Sequence, residues 1–363
     1  MARARRFSWT GTAEAIWSRA RRIAPERVEP QGKSHSEATT KTVARLPSPL
    51  HTPPMALGAR EWALLATVVY ADLFDSPLPL EEACAASLGI ALDEAEVRRL
   101  VLGPDLKLRM TLHRDGYLVL AGREHLVDAM PDRAALTHEL LDRNRSTLNA
   151  LAALPFVRSI VISGGVAHKN PGPRPDLDLF VIAARGRVYT AYTMLFLATK
   201  LIGKRRLICP NYLVDENELT IAYHHDLFTA HQIQSLRPFS GQRTYEAFCR
   251  ANREWVRGFF PAFGPRAAAA DPPPSLLQRA EEIALTPLAG FVEKGLRVAW
   301  RVRLRRRAVA ASQSDVVLGD GILKLHLSDY RPRVLERFEA RLDALRAQID
   351  QARPAPRPDP VRT

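Results

Sequence analysis

Residues 157–182, VRSIVISGGVAHKNPGPRPDLDLFVI, constrain this chain more than any other stretch. Residues 157–162 are rich in Val and Ile, and Pro155 separates them from the helical pattern before, so they predict a strand. Gly164 and Gly165 end it with a backbone free to take positive φ and to come close to a ligand. Residues 177–182 predict a second apolar strand, with Asp176 and Asp178 at its start. Positions two apart on a strand share a face, so the two carboxylates project together. Such a pair is unfavourable unless a cation lies between the charges. Hard oxygen ligands of this kind suit Mg²⁺, which binds one or two carboxylates together with substrate phosphates. A surface loop would not need apolar strands on both sides; a buried sheet does.

A chain of 363 residues has room for two or three domains. Its formal net charge of +13 favours polyanions as partners, although much of the excess lies in the tails. Cys84, Cys209 and Cys249 are far apart with no C-x-x-C spacing, which predicts neither a zinc site nor a disulfide framework. That usage fits a reducing, cytoplasmic setting. No signal-peptide pattern is present at the start. The most lipid-like run, residues 192–202, is too short to span a bilayer, so no transmembrane segment is expected.

Residues 1–55 read as a disordered basic tail in which arginines flank Trp9, Ile16 and Trp17. Residues 56–122 hold three helical patterns, the third opening at Asp93, and then a hairpin around Asp115-Gly116. This is the order of a winged-helix-like domain. Its third helix mixes Glu94, Glu96, Arg98 and Arg99, a poor surface for DNA phosphates. Residues 123–240 carry the central motif: a long helix broken near Pro131, the two strands, a helix over 187–202, a strand over 207–214, a short strand over 219–223 and a helix capped by Asp226. Residues 241–352 read as a helical C-terminal region, with a helical pattern from 239 to 260, a Pro-rich linker near 261–274, a helix interrupted near Pro287, a short extended segment and a charged terminal helix. Residues 353–363 read as a disordered tail.

Gly164-Gly165 followed by Asp176-Leu177-Asp178-Leu179 resembles the signature of the nucleotidyltransferase superfamily, the fold of DNA polymerase beta and kanamycin nucleotidyltransferase. Cys209-Pro210-Asn211-Tyr212, Phe228-Thr229-Ala230-His231 and Leu323-Lys324-Leu325-His326 extend the likeness to a group of bacterial nucleotidyltransferase-domain proteins of unassigned substrate, over roughly residues 60–345. The resemblance implies an α/β (α+β) chain: a nucleotidyltransferase-fold mixed sheet with flanking helices. It implies Mg²⁺-dependent transfer of a nucleoside monophosphate from a nucleoside triphosphate to an acceptor, which could be a small molecule, a protein or an RNA.

On that resemblance Asp176 and Asp178 are catalytic and hold the metal. Ser163, Gly164, Gly165, Lys169 and Asn211 bind the nucleotide, and His168 or Arg174 are weaker candidates for the leaving pyrophosphate. Active members add a third carboxylate on the next strand. Here Asn211 stands in its place, and Asp215, of the same strand parity, is the remaining candidate. An amide cannot take a proton, so the departure leaves open a nucleotide-binding regulatory protein with little or no turnover. A winged-helix protein that binds nucleic acid is the other alternative. His224, His225 and His231 read as packing histidines. Arg297, Arg301, Arg303, Arg305, Arg306 and Arg307 cluster around Trp300 and offer a polyanion contact.

Overall fold

A computed structural model of the chain describes residues 53–172, 175–269, 276–310, 315–326 and 329–351, all within one compact unit, Val43–Thr363. The expected basic tail, apart from residues 53–55, lies outside the described residues, as do Arg174 and residues 353–363. The protein is a mixed α/β structure built on two sheets.

The first described part is α1 (Ala59–Asp72), β1 (Leu78–Pro79), α2 (Leu80–Ala85), α3 (Glu94–Leu102), β2 (Met110–Leu112) and β3 (Tyr117–Leu120). The strands form an antiparallel sheet in the order β1-β3-β2. Asp93 starts α3 through a capping box with Glu96, which satisfies donors that a helix start leaves without partners. A 3₁₀ turn (Glu124–Ala129) leads into α4 (Met130–Ala152). Pro131 does not break this helix as the sequence suggested. It sits in the first turn, where its missing N–H has no intrahelical role.

The six-stranded sheet follows: β4 (Val157–Ser163), the short α5 (Gly164–Ala167), β5 (Leu177–Ala183), α6 (Val188–Leu201), β6 (Ile208–Asp215), α7 (Leu227–Ser235), β7 (Arg237–Ser240), α8 (Gln242–Arg257), α9 (Leu276–Ala310), β8 (Asp315–Leu318), β9 (Ile322–His326) and α10 (Arg331–Gln351). Its order is β7-β4-β5-β6-β9-β8, antiparallel except for β5 beside β6. Apolar side chains cover both faces. Val161, Phe180, Ile182 and Val214 join a core shared with α1, α8 and α10. Ile160, Leu179, Val181 and Leu213 join a second core under α6 and α9. Burial on both sides explains why β4 and β5 read as nearly continuous apolar runs.

Three further expectations change. Residues 219–223 form no strand. The buried amide of Asn252 takes over that backbone, accepting from Ile221 N at 2.9 Å and donating to Leu219 O at 2.8 Å. The helix expected from 239 starts later, because Gly241 takes φ +74 and separates β7 from α8. An added Cβ there would collide with the backbone at Arg158 and Ser159. Helix α9 runs through Pro287 without interruption. Part of the expected linker is also tied down: Arg266 and Arg237 both pair with Glu82 of α2. Burial disfavours ionised Glu82, but the two guanidiniums outweigh it and hold the carboxyl below its usual range.

Asn252 also accepts from Trp255 Nε1 and is fully buried. Asn252→Leu strands these groups and is expected to lower stability by about 3 kcal/mol in urea denaturation, whereas a surface replacement stays within about 0.5 kcal/mol.

Candidate functional site

The motif residues meet at one end of the sheet. Ser163 is the register partner of Asp178 across β4 and β5, and Cys209 is its partner across β5 and β6. Asp176 stands just before β5, where Leu177 N bonds to Leu207 O at 2.7 Å. Asp176, Asp178 and Cys209 each present a ligand atom within 4.8 Å of the others. Asp176 is exposed; Asp178 and Cys209 are partly buried.

Gly164 takes φ +67, and a Cβ there would strike the Asp178 carboxylate. Only glycine lets the turn lie this close to the acid while its backbone is left-handed. At Gly165 a Cβ would crowd Asn170 O at 3.1 Å. The loop beyond is fastened elsewhere: Asn170 Nδ2 donates to Phe74 O at 3.0 Å, and Arg133 donates to Asn170 Oδ1 at 2.7 Å. Ser163 Oγ donates to Asp178 O at 3.2 Å, which ties the turn to β5.

Asn211 owes its position to a register shift between β5 and β6. Leu179 pairs with Pro210 but Phe180 pairs with Tyr212, so Asn211 is an extra residue, a β-bulge. The bulge aims its side chain at the acid: Asn211 Nδ2 donates to Asp178 Oδ1 at 2.6 Å. Its buried Oδ1 has no hydrogen-bond partner among the described residues.

Asp215 lies away from the pair, and the bulge turns it to the other face. Asp215 pairs with Ala183 at the far end of β5, six positions from Cys209, or about 20 Å along the strand. Ala183 belongs to the core under α6, the face opposite Phe180. There Asp215 accepts from Gly186 N and from Asn217 N and holds the β5–α6 turn. Equal parity with Asn211, read from the sequence, did not put the two on one face because the bulge lies between Asp215 and Asp178.

Of the other candidates, His168 lines the same cavity as Asp178. Lys169 is exposed at φ +52 in the loop after α5. His168 stacks on His231, with ring centroids 4.9 Å apart. Burial first, and then Arg237, push His168 down to about 4, so it is neutral at pH 7 and carries no charge toward a phosphate. His225 stacks on Trp255, and Lys324 is buried in an ion pair with Asp315. The sequence reading missed Cys209. Its signal was faint: it lies two residues before Asn211, and only the strand register puts it opposite Asp178.

A cavity of about 140 Å³ opens beside the acid. Ser163, Asp178, Asn211 and His326 form its polar side, and Phe180, Tyr212, Ile233 and Phe248 its apolar side. Burial, and then the neighbouring Asp176, raise the Asp178 carboxyl to about 7. Burial and Asp176 also raise the Cys209 thiol, which is therefore neutral at pH 7. The two carboxylates and the partnerless Asn211 oxygen suit a hard divalent cation. A neutral thiol is a poor ligand for Mg²⁺; a softer ion would draw it in by displacing its proton.

Comparison of the chain with family models, with curated proteins and with solved structures finds no match.

Folded Asp178 keeps its proton to about pH 7, whereas an unfolded Asp releases it near pH 4. The native state therefore binds more protons between these limits and loses stability as pH rises through them. Asp178→Asn removes this titration. By urea denaturation the variant should exceed the parent by about 4 kcal/mol at pH 8 and match it near pH 4. A constant difference across that range would contradict the assignment.

Proposed function

We propose that the chain binds a nucleoside triphosphate with Mg²⁺ at Asp176 and Asp178, in a site of the nucleotidyltransferase type, and passes a nucleoside monophosphate to an acceptor. One observation carries this reading: two carboxylates at the start of a central strand lie within ligand-sharing distance of each other, against a left-handed glycine turn. The mixed sheet around β4, β5 and β6 supports it, as does the agreement of the Gly164-Gly165 and Asp176-Leu177-Asp178 spacing with the superfamily pattern. The order helix, strand, two helices and hairpin over Ala59 to Leu120 supports reading that part as winged-helix-like.

Bound Mg²⁺ would supply charge neutralisation at the phosphate oxygens and at the attacking oxygen. The chain's own residues have distinct tasks. Asp176 and Asp178 hold the ion. Asn211 fixes the orientation of the Asp178 carboxylate, and Ser163 fixes the turn beside it. Gly164 and Gly165 let the backbone approach the phosphates, and exposed Lys169 contributes its charge from the loop. The cavity beside Asp178 admits the part of a substrate that prefers an apolar wall.

The position of Asp215 favours a second reading, binding without turnover. Among the described residues the ligand-sharing group holds only two carboxylates, Asp176 and Asp178. Proton removal from an acceptor then falls to the acceptor's own surroundings or does not occur. The nucleic-acid reading has less support, because Arg98 of α3 is paired with Glu94 and Arg60 of α1 with Glu96.

Isothermal titration with ATP or GTP in the presence of Mg²⁺ should show binding that Asp176→Ala and Asp178→Ala each weaken by at least about tenfold, or about 1.4 kcal/mol. Equal binding by parent and double variant would refute the site. Pyrophosphate release with a panel of hydroxyl-bearing acceptors separates transfer from binding alone.

A further inference from the structure

We propose that the outward face of α9 docks on an anionic lipid surface. The inward face is fixed first. Glu293 is buried and accepts from Tyr189 N at 2.9 Å and Thr190 N at 2.8 Å, giving α6 the cap that its own sequence lacks. Trp300 is buried against Tyr192 and Phe196 and donates to Thr193 Oγ1 at 2.8 Å. Leu304 continues the same face into the core. With 3.6 residues per turn, these anchors turn Leu288, Phe291, Val298 and Val302 to the other side.

Those side chains are open to solvent: Phe291 is 79% exposed, Leu288 67% and Val298 64%. From Leu288 to Val302 the stripe extends about 21 Å along the helix. Isolated exposed apolar residues are ordinary, but a continuous stripe on one helix marks a contact surface. Helix α6, packed on α9 through Phe196 and Trp300, also exposes Leu201 at its C-terminal end, with Ile202 just after it.

Charge selects the partner. Of the arginine cluster, Arg297 and Arg301 are engaged by Asp320, and Arg303 lies over Trp300. Arg305 and Arg306 are exposed, with no ion pair among the described residues, and continue the stripe beyond Val302; exposed Lys294 flanks it. The carboxylates of Glu282 and Glu293 point inward to Arg158 and to α6. The outward face is thus apolar with a cationic end. Nucleic acid would use the cations and leave Phe291 and its neighbours in water. The headgroup region of an anionic bilayer satisfies both. Among the described residues no helix is long and apolar enough to cross a membrane, so the contact lies along the surface.

The test is co-sedimentation of the full chain with vesicles of phosphatidylcholine containing roughly one-third phosphatidylglycerol, compared with phosphatidylcholine alone. The parent should bind the anionic vesicles and not the neutral ones. Replacing one arginine should weaken binding roughly fivefold, and Arg305→Glu combined with Arg306→Glu at least 25-fold, on the order of one fivefold factor per cation. Phe291→Ser with Val298→Ser should also reduce binding, including at high salt, where the electrostatic part is screened. All variants should keep the parent's circular-dichroism melting curve, since the altered side chains are exposed. Binding that both double variants leave unchanged would overturn the proposal. So would self-association lost in Phe291→Ser without any vesicle binding, or capture of an RNA oligonucleotide in place of vesicles.

Discussion

Two like charges in a partly dried corner set the terms for this structure. Asp176 and Asp178 share one side of a strand start, and water reaches only the first freely. The second is left with a proton affinity near neutrality. Among the described residues no arginine or lysine pairs with either carboxylate: Arg205 reaches Cys209 Sγ instead, at 3.8 Å, and Asp178 Oδ1 is met by the Asn211 amide. A corner built this way rewards a cation that arrives from solution. That is the physical basis of the proposed site: unfavourable electrostatics in the unbound chain that a bound cation would remove.

Keeping the corner in shape falls to the rest of the fold. Glycine at 164 lets the turn lie on the acid, and Asn170 and Arg133 hold the loop that follows. Glu82 joins α2 to β7 and to the segment after α8 through two arginines. Glu293 joins α9 to the start of α6, and Arg158 with Glu282 joins the same helix to β4. These are buried or half-buried charges with partners on distant parts of the chain. Removing one partner would leave the other without compensation, which makes them specific fasteners as well as contributors to stability.

Much of this was readable before any coordinates. The strands β4 and β5 follow from apolar runs bounded by glycine, and the starts of α3 and α7 follow from Asp93 and Asp226 acting as caps. What was not readable depended on register. Pro210, with no N–H for the ladder, is the only local hint of a bulge in Cys209-Pro210-Asn211-Tyr212, and it does not say that the bulge delivers Asn211 to the acid and turns Asp215 to the other face. Cys209 became part of the site only through pairing between β5 and β6. The short run at 219–223 looked like a strand, but Asn252, 31 residues after Ile221, satisfied its backbone instead. In α9 the sequence showed an arginine cluster around Trp300 but not how the helix is turned; only the inward anchors Glu293 and Trp300 reveal which side chains remain outside.

The central claim is that Asp176 and Asp178 together hold a divalent ion. Anomalous diffraction from crystals grown with Mn²⁺ tests it most directly. The account predicts a single peak within roughly 2.3 Å of an oxygen of each carboxylate, beside Gly164. A peak elsewhere, or none while the two side chains splay apart, would contradict it.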